Sequence, residues 1–182
     1  MKRVVSILAI LLISIAVSAY SAVLSNPGFE GGETGWYSWS DETMSGVTSG
    51  AASSDYKYNG TNSARRTIEG KTQGCYGQPF PVNTGETVTA SAWIMSPDAK
   101  ALSGGGEAYI RIEFWGTNGP LGAGHVESEH IKAATPWKKI QATGRVPTGA
   151  TEARVLAFAK GIEGSKGEAC FDDFEVSVQK GN

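Results

Sequence analysis

Past the first two dozen residues, small or apolar side chains recur at every second position. "TVTASAWIM" (Thr87 to Met95), "EAYIRIEFW" (Glu107 to Trp115) and "EARVLAFAK" (Glu152 to Lys160) all carry this alternation. A period of two belongs to extended backbone, whose successive side chains point to opposite faces. A strand that is apolar on one face only must bury that face against a second layer. Between the strands lie turn signals, "NTGE", "GTNGPLGAG", "VPTGAT" and "GIEGSKGE", and the 24 glycines of the chain suit many tight turns. Helical periodicity is nearly absent. The fold class is therefore all-β, a two-sheet antiparallel β-sandwich, in one domain spanning residues 23–180.

Parity assigns the faces. Val88, Ala90, Ala92 and Ile94 form one core row, Ala108, Ile110, Ile112 and Phe114 a second, and Val155, Ala157 and Ala159 a third. Opposite the second row stand Tyr109, Arg111, Glu113 and Trp115; opposite the third stand Arg154, Leu156, Phe158 and Lys160. Trp93 faces away from the first core row. If the three strands are neighbours, these outward groups make an aromatic and polar trough, which Trp93 extends.

The ends of the chain bound the function. Residues 1–22 combine Lys2 and Arg3, an apolar run from Val4 to Val17 and small residues in "VSAYSA", the layout of a cleaved secretory signal. That run is short for a bilayer span, so the expectation is a secreted protein, extracellular or periplasmic, with no membrane partner. The chain carries 16 basic and 18 acidic residues, and loss of Lys2 and Arg3 with the signal leaves 14 against 18, a net of −4. Nucleic acid is excluded as a partner, because no basic stripe is present to neutralise phosphates. Cys75 and Cys170 would meet an oxidising compartment after export; one disulfide or two free thiols both fit the sequence.

Five phrases then occur in a fixed order: "LSNPGFEGGETGW", "YNGTNSARRTI", "GCYGQPFPVNTGETVTASAWIM", "PWKKIQATGRVPTGATEARV" and "ACFDDFEVSV". As an ordered set they resemble the carbohydrate-binding modules of the family 4, 9, 16 and 22 group. The resemblance covers about Val23 to Val178 and implies a galactose-binding-like jelly roll. It also implies a structural calcium ion, Ca2+, held by Glu30 and Asp172 with main-chain oxygens of Gly28 and around Thr61; Asp173 is the alternative if the register slips. Oxygen ligands of this kind suit a hard cation. Phe29 and Trp36 take core roles by the same resemblance. The partner it implies is a polysaccharide or oligosaccharide, bound on the concave sheet or on loops at the sandwich's end. Such modules ride on glycoside hydrolases; none is read within this chain, so a separate hydrolase or an envelope component is the expected protein partner.

Two sites follow. The trough of Tyr109, Arg111, Glu113, Trp115 and Trp93 offers flat rings beside hydrogen-bonding groups, which is what a pyranose with apolar C–H faces and a rim of hydroxyls requires. The competing site is a loop-end pocket of Trp39 and Tyr76 with Gln78 as polar partner. Catalysis is not expected. Glycoside hydrolysis needs two carboxylates about 5 to 10 Å apart, whereas Glu107 and Glu113 lie on one strand roughly 20 Å apart by strand rise. His125 and His130, in "GAGHVESEHIKAATP", read as members of a solvated loop. The alternative function is a structural or adhesive envelope or matrix module with no specific sugar ligand.

Overall fold

The computed structural model describes residues 19–22 and 24–181, so the export signal read in residues 1–22 lies outside the described residues except for its last four. Eleven strands occur among them: β1 (Ala19–Ser21), β2 (Tyr37–Ser40), β3 (Val47–Ser53), β4 (Ser63–Glu69), β5 (Thr72–Pro81), β6 (Thr87–Ser96), β7 (Glu107–Gly116), β8 (Gly119–Glu127), β9 (Thr135–Arg145), β10 (Glu152–Gly161) and β11 (Lys166–Gln179). One sheet runs β3-β4-β11-β6-β9, with β1 also pairing β11; the other runs β2-β5-β10-β7-β8. The described pairings are antiparallel, as hairpin and Greek-key connections require.

The alternating rows meet between the sheets. Val88, Ala90, Ala92 and Ile94 of β6 face Ala108, Ile110 and Ile112 of β7 and Val155, Ala157 and Ala159 of β10 in one apolar core. Small residues on facing strands let the layers close, and the largest side chains gather toward one end. There Phe29 stacks on Trp36 with centroids 4.7 Å apart, and Phe174 meets Trp36 at 4.9 Å. Phe29 is fully buried and sits at a positive φ of 58°, a strained backbone for a ring-bearing residue that the surrounding packing must hold.

The sheet order corrects one expectation. β6 belongs to the six-stranded sheet and β7 to the five-stranded one, so their outward faces lie on opposite sides of the sandwich. Trp93 therefore cannot extend a platform built on Tyr109 and Trp115. Its ring instead stacks on Tyr58 at 3.9 Å, with Trp137 edge-on to Tyr58 at 5.9 Å. Parity gives a side chain's face within its own sheet and is blind to which sheet that is.

The disulfide alternative is also resolved. Both cysteines are free and buried. Cys75 lies on the outward face of β5, in a small apolar cluster with Tyr109, Leu156 and Phe158, while Cys170 lies on β11 between the core residues Ala169 and Phe171. With the sheets about 10 Å apart and the two side chains turned outward on opposite sides, the α-carbons lie beyond the ~7 Å limit for a bridge and the side chains point apart. Burial pushes each thiol up to about 12. We expect a thiol reagent to leave the native protein unlabelled and to titrate two groups per chain in denaturant without reductant, with a melting temperature insensitive to reductant. One or no thiol after denaturation would contradict the separation of the two cysteines.

Candidate functional site

The outward face of the five-stranded sheet carries an elongated trough of about 360 Å3. Its floor is apolar: Leu156 and Phe158 of β10 and Cys75 of β5 are buried there, with Tyr37 of β2 half-buried against them. Gly77 makes room for Tyr37, because a Cβ there would stand 2.3 Å from the Tyr37 ring. Burial raises the Tyr37 phenol to about 12, outweighing its arginine neighbour, so it stays a neutral hydroxyl at physiological pH. Trp39 and Gln73 line one end, Trp115 and Pro120 the other. Trp39 and Trp115 lie on strands separated by β5 and β10, and the register offsets them along the sheet. Strand spacing and rise put their α-carbons roughly 25 Å apart.

Two guanidinium groups lie flat on rings in this trough. Arg154 sits 3.5 Å above the centre of the Trp115 ring, and Arg111 sits 4.1 Å above Phe158. Strand pairing explains both, since Arg154 is opposite Glu113 and Leu156 is opposite Arg111 in the β10–β7 register. Arg111 is held from every side: it donates to Glu127 at 2.7 and 3.0 Å, to Tyr109 Oη at 3.1 Å and to Glu113 at 3.4 Å. The second oxygen of Glu113 accepts from the Trp115 indole at 3.2 Å.

His130 is the group that a solvated-loop reading misses. The segment after β8 turns back along β7, with Ile131 bridging Ala108, and lays the imidazole on the Tyr109 ring at 3.8 Å. Its two nitrogens lie 2.8 Å from Glu107 and 3.1 Å from Glu127. Burial alone would raise the Glu107 carboxyl, but hydrogen bonds from His130, Lys160 and Lys132 together hold it down to about 2. The spacing of five between His125 and His130 carries no such signal; the visible sign was only the density of glutamates around them.

The expected site residues thus divide. Arg111, Glu113, Trp115 and Trp39 share the trough. Tyr109 is on the same face but fully buried beneath His130, so it supports the trough and cannot stack on a ligand. The loop-end pocket of Trp39, Tyr76 and Gln78 is not formed. Tyr76 points into the core beside Phe29 and donates to Glu33 at 2.7 Å, and Gln78 is buried, pairing with the backbone of Ser25. Trp39 stands on β2 with opposite parity to both, which turns it into the trough. Gln73, at the position that does share its face, is the polar neighbour.

At the sandwich end, one loop gathers two carboxylates. Tyr58 N and Asn59 N donate to Asp172 at 2.9 and 3.2 Å, while Thr61 N and Asn62 N donate to Glu30 at 2.9–3.2 Å and the Thr61 hydroxyl at 2.6 Å. Thr61 thus meets Glu30 through its donors. Asp172 is fully buried, and burial raises its carboxyl, partly offset by the N–H groups of Asn59, Tyr58 and Asp173. A Cβ on Gly28 would lie 3.2 Å from Asp173 Oδ1 and 3.4 Å from Asp172 Oδ1, so both carboxylates close on that glycine. Among the described residues no Lys or Arg pairs with Glu30, Asp172 or Asp173. Asp172, a buried carboxylate without a counter-charge, with the exposed Glu30 held by the same loop, fits an oxygen-coordinated cation. No three His, Cys, Asp or Glu side chains among the described residues are placed to hold a metal ion by themselves, so such a cation would depend on backbone oxygens as well.

Comparison with known proteins places this geometry. No curated protein sequence matches the chain. Among solved structures, the CBM22-1 xylan-binding domain from Paenibacillus barcinonensis Xyn10C aligns at a TM-score of 0.59 and 16% identity, over 93% of this chain and 99% of that one. TmCBM61, solved in complex with beta-1,4-galactotriose, aligns at 0.53 and 16% identity over 85% and 97%. The enzymatically active domain of tailspike protein 4 from bacteriophage CBA120 aligns at 0.63 and 13% identity over 86% of this chain, which spans only 21% of that protein. These likenesses establish the shared β-sandwich fold. The model of the family CBM_4_9, described as a carbohydrate binding domain, matches residues 21–166, most of the sequence, and the chain belongs to that family.

Proposed function

We propose that the chain is an exported, non-catalytic module that binds the interior of a β-linked polysaccharide in the trough of its five-stranded sheet, with a structural calcium ion at the Glu30 and Asp172 end. One observation carries this reading: Trp39, Tyr37 and Trp115 line a single trough with Arg111, Glu113, Arg154 and Gln73. Rings supply apolar faces to sugar C–H groups, and the polar side chains supply donors and acceptors to hydroxyls. The trough crosses from β2 to β8, the two edge strands of its sheet, a path that suits a chain passing across the whole face. A structural or adhesive module would need no such groove.

A catalytic role has little support in the same face. Glu113 and Glu152 sit diagonally on paired strands, near the separation that glycosidases use. However, Glu113 accepts from Arg111 and Trp115, and Glu152 accepts from Arg154 at 2.7 Å. Both are engaged as acceptors, the opposite of what a proton-donating acid needs. The calcium reading rests on Asp172 and Asp173 at Gly28 and on Glu30, held at Thr61 by the loop that also holds Asp172; the ion would neutralise the buried Asp172 and tie the first segment to β11, with no part in chemistry. The export reading rests on residues 1–22, and a separate glycoside hydrolase or envelope component remains the partner it calls for.

Ring availability sets the expected mutant order. Trp39 is 43% exposed, whereas one face of the Trp115 ring is covered by Arg154. Trp39→Ala should weaken polysaccharide binding by about 2 kcal/mol, roughly 30-fold, as loss of an anchoring aromatic does. Trp115→Ala should lose less, and Trp93→Ala nothing. Titration calorimetry on folded variants decides this; parent-like binding by Trp39→Ala would remove the trough. Chelator should lower the melting temperature and added calcium restore it, by about 2.7 kcal/mol at a hundredfold excess over Kd; Asp172→Asn should lose that response. Reducing-sugar assays on every polysaccharide bound should show no turnover.

A further inference from the structure

Arg111 and Arg154 occupy neighbouring strands on the same face, yet their charges are spent differently. Arg111 spends four of its five N–H donors on Glu127, Glu113 and Tyr109. Arg154 donates to Glu152 through Nε alone, and its two terminal nitrogens pair with no carboxylate among the described residues. The guanidinium is nevertheless fixed, stacked 3.5 Å over Trp115 with the Tyr37 ring centre 5.7 Å away on the trough floor. Its plane is set and its outer edge borders the trough. Among the charged side chains that line the trough, two are arginines and one is Glu113, whose oxygens are already taken by Arg111 and Trp115. The carboxylates that balance the two arginines, Glu127 and Glu152, stand outside the lining, so the groups presented to the trough are mainly guanidinium donors.

A rigid guanidinium fork is donor-only and matches the two oxygens of a carboxylate in one plane. A neutral hydroxyl accepts from one of those donors only and leaves the other terminal nitrogen without a matching acceptor. We propose that the trough selects polysaccharides whose sugar units carry a carboxylate, that is, uronic-acid chains, and that Arg154 is the residue that reads it. This rests on the trough being the glycan site.

The test uses pairs that share a β-linked backbone and differ in charge: mannuronate against mannan oligosaccharides, and glucuronate against cello-oligosaccharides, with cellulose sulfate as an anionic control. The acidic member of at least one pair should bind about tenfold tighter at low ionic strength, the advantage shrinking as salt screens it. Arg154→Gln should bind both members of that pair equally, and Arg154→Lys should keep an intermediate preference, because the charge survives and the fork does not. Circular dichroism and melting temperature establish that each variant is folded; if Arg154→Gln is not, the Arg154→Lys comparison decides. Neutral members binding as well as acidic ones, an unchanged preference in a folded Arg154→Gln, or cellulose sulfate matching glucuronate would each overturn the proposal while leaving the trough in place. Binding of no glycan, neutral or acidic, would instead bring down the trough reading itself.

Discussion

The carboxylate of Asp172 is fully buried, and the end of the sandwich is arranged around it. Between Asp172 and Glu175 the pairing of β11 with β6 slips, and Asp173 takes a positive φ of 47°. A bulge of this kind re-aims the side chains that follow it. It leaves Asp172 facing the loop that carries Tyr58 and Asn59 and turns Phe174 into the Phe29 and Trp36 stack. Phe174 N also bonds Pro27 O, so the "NPGF" segment is fixed to the last strand by backbone and ring together. Truncating a buried ring costs ~3–5 kcal/mol, whereas an exposed ion pair such as Lys139 with Glu175 contributes ~0–1 kcal/mol. Packing at the bulge, rather than surface charge, holds β11. Because the Asp172 carboxyl is raised on folding, the folded state binds its proton more readily than the unfolded chain, and stability falls as pH rises through that range. A bound cation reverses that sign.

The trough depends on the opposite arrangement, charge placed over apolar surface. Phe158 and Trp115 would be large exposed apolar faces on the outside of a sheet, a liability for a domain in water. Arg111 and Arg154 cover them with guanidinium planes, which are weakly hydrated and stack well. The same stacking fixes the donors that face the groove. His130 then covers Tyr109, placing an imidazole between Glu107 and Glu127, and Glu127 in turn holds Arg111. A neutral imidazole donates from one nitrogen only, so both contacts are donations only when the ring is charged.

Period-two alternation was enough to read the sandwich and its core rows, because a strand with one apolar face has only one way to bury it. The same alternation placed Arg111, Glu113 and Trp115 on one face. It went wrong on Trp93, since β6 and β7 are consecutive in the chain yet belong to different sheets, and strand order is set by long-range pairing that no local period encodes. Tyr76 and Gln78 were given to a loop end with no alternation applied to them; they lie in β5, where Gln73 and Cys75 share the trough face and Tyr76 and Gln78 do not. Tyr109 was given the right face and the wrong accessibility, because a loop returning from β8 covers it. The gathering of Glu30 and Asp172 by one loop joins residues over a hundred positions apart, and only the ordered phrases of the family pointed to it.

Aromatic residues on an outer sheet face do not by themselves make a sugar platform; what matters is whether a ring's face is free. On the six-stranded sheet Trp93 is covered by Tyr58, the residue whose N–H also holds Asp172, so that stack fastens the carboxylate loop to the sheet. On the five-stranded sheet Trp115 is covered on one face by a guanidinium, while Trp39 projects from an edge strand with its backbone oxygen accepting from the buried Arg66 at 3.4 Å. Arg66 also reaches Ser38 and Thr48, so the buried cation ties β2 to β3 beneath Trp39. The most open ring of the trough is thus mounted on backbone anchored from inside the sandwich. That combination, a free face on a fixed mount, separates the trough from the aromatic cluster on the other side.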